Sequence, residues 1–196
     1  VIDAGLSNIH LRSEGRGFSF MKDDPLDMRM DNRQSLTAWH VVNQYPEKQL
    51  AQILWEYGEE KHSRRIAKAI VEARKTQPVQ SCRELVRIVE TKVHRTGRIH
   101  AATKTFQAIR IEVNNELNEL KKAIAEGYAA LGAKGRFCII SYHSLEDRIV
   151  KHTFKTLQQD GLMRIITKKP IRAALEEVRQ NPSARSAKLR IGEKIS

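Results

Sequence analysis

The chain has 196 residues, 40% of them apolar and 30% charged, enough for one α/β domain plus a small second one and too apolar for wholesale disorder. No apolar run approaches the roughly 18 residues of a membrane-spanning helix, and no signal-peptide pattern opens the sequence. The net charge of +12 points instead to a polyanion as partner, and so to a chain that works in the cytoplasm without a membrane.

In chain order, "VIDAGLS" reads as the end of a strand passing into a turn. Val1 is not an initiator Met, so the chain is expected to be the later part of something longer, or a processed piece. Residues 12–34, "RSEGRGFSFMKDDPLDMRMDNRQ", are too rich in Gly and Asp for a regular element, and loops of this length are functional or disordered. Ser35 is placed to cap "LTAWHVVNQ", and Pro46 to start "EKQLAQILWEY", which Gly58 ends. "EEKHSRRIAKAIVEARK" turns Ile66, Ile70 and Ala73 inward and Lys61, Arg64, Arg65, Lys68 and Lys75 outward, until Pro78 intervenes. Ser81 and Glu84 have capping-box spacing ahead of "CRELVRIVETKVH". One long helix, "TKTFQAIRIEVNNELNELKKAIAEGYAAL", then leads to a strand, "RFCII" (136–140). After a helix over 145–159 come two further strand candidates, "MRIIT" (163–167) and "AKLRIGE" (187–193).

Strands at both ends with a helical block between them describe an α/β sheet domain, residues 1–34 and 103–196, interrupted by a helical insertion, 35–102. The charge is concentrated in the helices. From Lys61 to Arg110 there are 13 Lys/Arg against 3 Glu, and from Met163 to Arg190 there are 8 against 2. Solvated helix faces would carry Glu and Lys in similar numbers, so the insertion is the part expected to grip a nucleic acid, with Arg64, Arg65, Lys68, Arg95, Arg98 and Lys104 as its candidate contacts. Cys82 and Cys138 both fall in apolar patterns far apart in sequence and read as reduced core thiols.

The stretch "IISYHSLEDRIVKHTF" (139–154) is a strand–loop–helix joint at the carboxyl end of a strand, where open α/β sheets bind ligands. A hydrolytic serine would sit in a Gly-flanked elbow, and no Gly flanks Ser141 or Ser144. Ser144 with Asp147 three residues on has capping-box spacing instead. The seven His are scattered, with no H-x-x-x-H or C-x-x-C pair, so no metal site is expected. Asp23, Asp24, Asp27 and Asp31 suit turns better than an ion. No P-loop and no G-x-G-x-x-G set between strand and helix is present. Asp3, at a strand end before a Gly-containing turn, can accept a hydrogen bond from an amino group of a cofactor or a base, although a turn-forming Asp is an equal alternative.

The stretches "DAGLSNIHL", "RGFSFMKDDPLDMRMD", "YGEEKHSRRIAKAIVEAR", "TKTFQAIRIEVNNEL", "SYHSLEDRIVK", "ITKKPI" and "NPSARSAKLR" occur in that order over nearly the whole chain. Together they resemble the ribosomal small-subunit RNA cytosine-N4 methyltransferases, the RsmH (MraW) family. The resemblance implies a class I, Rossmann-like S-adenosylmethionine-dependent methyltransferase fold with a helical substrate-recognition insertion. It further implies methylation of one cytidine near the decoding centre of small-subunit ribosomal RNA, free or in the subunit. In the family, an Asp at the strand end and a Gln seven residues later contact the cofactor; the matching positions here are Asp3 and His10. Asp3, Ser141 and His143 are the candidates for catalytic roles, and Tyr142 for stacking on an extruded base.

The sequence departs from the family at several points. Ser7-Asn8 and His10 stand where Ser-Ser and Gln are usual, Asp24 replaces a Gly, and "AKG" (133–135) replaces a P-G-G turn. The Gly-rich cofactor loop and the acidic residue for the ribose are not among these residues. The expectation is therefore an amino-terminally incomplete methyltransferase domain covering roughly the carboxyl-terminal two-thirds of a family member, with weak cofactor binding by itself. Its uncovered sheet edge would favour self-association as a homodimer. The alternative from another class is a non-catalytic RNA-binding remnant.

Overall fold

Alternation places Phe137, Ile139 and Ser141 on one buried face of a strand, β2 (Arg136–Ser141), and this face organises the sheet. The structure is a computed structural model that describes residues 1–5, 15–93 and 100–195. β1 (Ile2–Asp3) runs parallel to β2, with Ile2 opposite Ile139 and Asp3 opposite Ile140. On the other side β5 (Lys188–Lys194) is antiparallel to β2, from Arg136 opposite Glu193 to Ser141 opposite Lys188. β3 (Met163–Ile165) pairs with the end of β5, giving the order β1-β2-β5-β3, and β4 (Ile171–Arg172) pairs with β5 at Leu189 and Lys188.

Two long helices cover the sheet of this unit, which comprises Val1–Gly5 and Leu117–Ser196. They are α6 (Glu116–Ala129, all but its first residue in the unit) and α7 (Ser144–Gln159). Leu120 and Ile124 from α6 and Val150 and Phe154 from α7 close over Phe137, Ile139 and Met163. The Phe137 and Phe154 rings lie 6.1 Å apart at its centre. A short helix, α8 (Leu175–Gln180), and a 3-10 turn (Pro182–Ser186) bring the chain back to β5.

The second unit spans Leu6–Glu116 and is helical: α1 (Ala38–Gln44), α2 (Glu47–Glu56), α3 (Ser63–Thr76), α4 (Cys82–Glu90) and α5 (Thr103–Asn114). Val41, Leu50, Leu54, Ile66, Ile70, Leu85, Val89, Phe106 and Ile109 form its core. The irregular segment before α1 is part of that core, with Leu26 and Met28 only 2% and 1% exposed. Its backbone is satisfied by other elements. The Asp27 and Leu26 carbonyls accept from Ala38 and Trp39, each at 2.7 Å. The Asn114 side-chain amide donates to the Met28 carbonyl at 2.8 Å and accepts from the Met30 amide at 2.7 Å, as a strand partner would. Gly17, at φ +69°, permits the tight approach to Pro25, because a Cβ there would run into the Pro25 carbonyl.

The units therefore divide after Gly5 and Glu116, not at 34/35 and 102/103, because the 15–34 segment and α5 bury their apolar residues among the insertion helices. The single long helix expected from Thr103 is two helices. Asn115 adopts a left-handed conformation, φ +49°, that breaks the hydrogen-bond ladder, and Asn tolerates this better than most residues. Thr37, not Ser35, caps α1: its hydroxyl accepts from the His40 amide at 3.4 Å while the His40 ring accepts from the Thr37 amide at 3.3 Å. Pro46 precedes α2 and Ser81 caps α4 as the sequence indicates, with the Ser81 hydroxyl accepting from Glu84 at 3.3 Å.

Phe154 is 2% exposed at the centre of the sheet core. Truncation of a buried Phe removes its transfer energy and leaves a cavity, so Phe154→Ala is expected to lower stability by about 3–5 kcal/mol. A urea titration checks this, with a lower midpoint and an unchanged slope.

Candidate functional site

Parallel pairing brings the carboxyl ends of β1 and β2 side by side, and the residues that follow each strand form the candidate ligand edge. After Asp3, the Ala4 amide still donates to the Ile140 carbonyl at 2.9 Å, and the chain then turns at Gly5, φ +139°. Tyr142, the first residue beyond β2, packs on that turn: a Cβ at Gly5 would come within 2.9 Å of its ring. The Tyr142 hydroxyl is within hydrogen-bonding reach of the Asp3 carboxylate. Burial, that hydrogen bond and the charges of Asp3 and Glu146 push the phenol up to about 12, so it is a neutral donor at physiological pH. Asp3 is exposed, and a carboxylate accepts several hydrogen bonds, so capacity remains for an incoming N–H.

The loop between β2 and α7 is held from below by Glu146. Its carboxylate accepts from the Tyr142 amide at 2.8 Å and from the His143 amide at 3.2 Å. In return the Glu146 amide donates to His143 Nδ1 at 3.4 Å. This is a capping box one residue earlier than Ser144 and Asp147 suggest, with His143 as the N-cap. His143 Nε2 also lies 3.1 Å from Glu146 Oε1. Burial pushes the Glu146 carboxyl up. The His143 ring and the two loop amides more than offset this and hold it below the ordinary glutamate value. Asp147, freed from capping, takes Arg190 of β5 at 2.7 Å and Lys188 at 3.5 Å.

These contacts redistribute the roles read from sequence. Ser141 is 1% exposed and its hydroxyl donates to the Lys188 carbonyl at 3.4 Å, inside the β2–β5 pair, so it cannot reach a ligand as it stands. The Nδ1 of His143 is committed to the helix amide rather than free as a base. Asp3 is where a ligand-facing carboxylate is expected. Glu146 was legible only as the third residue after His143, and imidazole is a less usual cap than the neighbouring Ser.

On the helical unit, Arg64, Arg65 and Lys68 are exposed on α3, opposite the buried Ile66, Ala67 and Ile70. Arg64 and Arg65 have no carboxylate within ion-pair distance among the described residues. Lys68 only feels Glu72 one turn on. Lys104 is half-buried and donates to the Glu59 carbonyl at 2.9 Å. Other cations of this stretch serve the fold: Arg74 caps the end of α1 through the Val42 and Tyr45 carbonyls at 2.6 Å each, and Arg110 pairs with Glu116 at 2.7 Å. In the loop before α1, Asp27 and Asp31 are taken by Arg29 and Arg33 and Asp24 by the amides of Gly15 and Gly17, while Asp23 lies 3.7 Å from Arg83. His10 lies in 6–14 and Arg95 and Arg98 in 94–99, outside the described residues.

Residues 1–195 match the model of the MraW methylase family. The chain belongs to that family. It is 51% identical over 198 residues to the ribosomal RNA small subunit methyltransferase H of Persephonella marina, covering all of this chain and 67% of that protein. It is 52% identical over 195 residues to the protein of the same name from Synechocystis, covering 63% of it, and 46% identical over 211 residues to that of Clostridioides difficile, covering 68%. The chain thus spans about two-thirds of the length of these relatives. Family members are S-adenosylmethionine-dependent methyltransferases, and the mixed α/β sheet unit is the matching fold. No described helix is long and apolar enough to cross a membrane.

The Glu146 carboxyl titrates lower in the folded chain than in the unfolded one, so its contribution to stability is complete above the unfolded value near 4.5 and is lost as pH falls through the folded value. Glu146→Gln is expected to lower the melting temperature at neutral pH and to flatten its fall between pH ~5 and ~3. Thermal melts of both proteins across that range read both effects.

Proposed function

We propose that the protein transfers a methyl group from S-adenosylmethionine to the exocyclic N4 of a cytidine in small-subunit ribosomal RNA, near the decoding centre, in the cytoplasm. The observation that carries this is the exposed Asp3 carboxylate, held by the neutral Tyr142 hydroxyl at the joint ends of two parallel strands. Its spare acceptor capacity fits an amino group, which both cytosine and the cofactor carry. The family membership and the names of the relatives support the same reading.

When bound, S-adenosylmethionine supplies an electrophilic methyl on a sulfonium centre. The task left to the protein is to present a poor nucleophile. The N4 lone pair of cytosine is delocalised into the ring, so its amine must be held in line and at near-attack separation, ~3–3.5 Å. Asp3 can orient an N–H there, or grip the cofactor as the family pattern implies, together with His10. Tyr142 fixes the carboxylate by occupying part of it. Glu146 holds the Tyr142 and His143 amides, so the loop carrying Tyr142 does not depend on ligand for its shape. The target base must leave its stack, at least cost in single-stranded RNA.

The RNA itself is assigned to the exposed face of α3, with Arg64, Arg65 and Lys68, extended by Lys104, Arg95 and Arg98. The helical unit is the substrate-recognition part of this reading. Each phosphate contact contributes about 0.7–0.9 to the slope of log affinity against log salt. Replacing Arg64, Arg65 and Lys68 together by Ala is expected to weaken RNA binding and lower that slope by about 2. An unchanged slope would remove α3 from the interface.

Labelled methyl transfer to small ribosomal subunits, with the product nucleoside identified by mass spectrometry, tests the chemistry. The expected product is N4-methylcytidine, and in a protein with a complete cofactor site Asp3→Ala is expected to lose about 10²-fold in rate, the scale of a misplaced reactant. Residues 1–196 hold no Gly-rich strand–turn–helix, so by themselves they are expected to bind S-adenosylmethionine weakly. Micromolar binding in a calorimetric titration would contradict that and make Asp3 and His10 a sufficient site.

A further inference from the structure

Trp55 is 59% exposed on the last turn of α2, whereas the core-facing residues of that helix are Leu50, Ile53 and Leu54. Indole is the largest apolar side chain and is usually well buried, so an exposed one needs a reason. Trp55 lines a hollow of about 590 Å³ between α2 and the start of α3. The charged lining consists of Lys48, Lys61, Arg64 and Arg65, with no carboxylate among the lining residues. A neighbouring hollow of about 580 Å³ shares Lys61, His62 and Arg65 and adds Lys92 and Lys104, with one carboxylate, the buried Glu60, which accepts from the His62 amide at 2.8 Å. An apolar protein segment would gain nothing from four cations that have no ion-pair partner among the described residues, and an acidic peptide would not need the ring. A nucleotide needs both, because phosphates take the cations while a base presents a flat π-face to the indole.

We infer that the hollow between α2 and α3 binds an unpaired nucleotide of the RNA, its base stacked on Trp55 and its flanking phosphates on Lys48, Lys61, Arg64 and Arg65. The inference rests on the RNA reading of α3 and adds to it the state of the RNA: single-stranded at this point, since a base within a duplex has no free face to offer. Stacking tolerates any base, so the hollow contributes grip without sequence discrimination. It lies wholly within the helical unit and needs no cofactor.

The test uses the 196-residue chain with Trp39→Phe, so that Trp55 is the one remaining indole. The ligand is a single-stranded RNA of mixed sequence, set beside the same strand with abasic nucleotides. Expected are quenching of Trp55 fluorescence by the intact strand and little by the abasic one. Trp55→Ala should weaken binding of the intact strand by roughly tenfold or more, with the salt slope unchanged because no phosphate contact is lost. Trp55→Phe should recover part of the affinity. If Trp55→Ala binds as the parent does while the slope still depends on Arg64, Arg65 and Lys68, stacking is overturned and the RNA face of α3 stands. If the loss is the same for intact and abasic strands, Trp55 supports the surface rather than a base, and the inference fails. Absence of salt-dependent RNA binding by the parent chain would overturn both.

Discussion

Parallel pairing of β1 with β2 is the constraint on which the rest depends. Parallel neighbours cannot be joined by a tight turn, because the chain must cross back to the starting end before the second strand begins. Here the crossover runs from Gly5 to Arg136 and contains the whole helical unit as well as α6. A helical domain can therefore be carried in that connection without breaking the sheet. The register, Ile2 on Ile139 and Asp3 on Ile140, also decides the site, for it makes Asp3 and Tyr142 neighbours although they are far apart in sequence. A slip of one residue would exchange the faces of β1 and turn the Asp3 side chain away.

The positive charge does two kinds of work that composition cannot separate. Arg74 replaces missing hydrogen-bond donors at the end of α1, Arg110 pairs with Glu116, and Arg190 is buried against Asp147. Each is held by acceptors that would be left unsatisfied without it, and removal of one partner from such a pair is costly. Arg64 and Arg65 have no such obligation among the described residues and point into solvent, where salt bridges add little to stability. Charge left unpaired at a surface is charge available to a polyanion. The proposed interface is thus defined better by what the cations lack among the described residues than by how many there are.

Much of the sheet was legible because alternation and β-branched runs leave few choices: "RFCII", "MRIIT" and "AKLRIGE" each hold a strand, though the second ends at Ile165, and Ser81 and Pro46 mark real helix starts. The misses share a cause. Residue pattern alone points to Ser35, to Ser144 and to a continuous helix from Thr103, and at each of those points a specific contact or backbone conformation decides instead. Carbonyls of Leu26 and Asp27 fix where α1 begins, the two loop amides recruit Glu146 and so select His143 as cap, and Asn115 ends a helix whose pattern would have continued. The 15–34 segment has no periodicity to read, because its order comes from Asn114 and the helix amides rather than from itself. β4 and α8 were missed for their shortness. At the site, Asp3 could be read from its place at a strand end, whereas the Tyr142 hydrogen bond to it could not, since only the register brings the two together.

The two candidate surfaces differ in how they are built, and the difference follows from what each must do. At the strand ends the loop residues are over-determined: Glu146 is 3% exposed and holds two amides, and Tyr142 is fixed by Asp3 and by the glycine turn. In the proposed reaction, a group that holds a weak nucleophile would gain from such preorganisation, since small misplacement is expensive in rate. On α3 and beside Trp55 the basic side chains are long and exposed. That suits a polymer whose phosphates need neutralising but not exact placement, and whose attraction acts through counterion release. On the proposed reading, a fixed carboxylate suits the positioning of a reacting atom, and long exposed cations suit the retention of a polyanion.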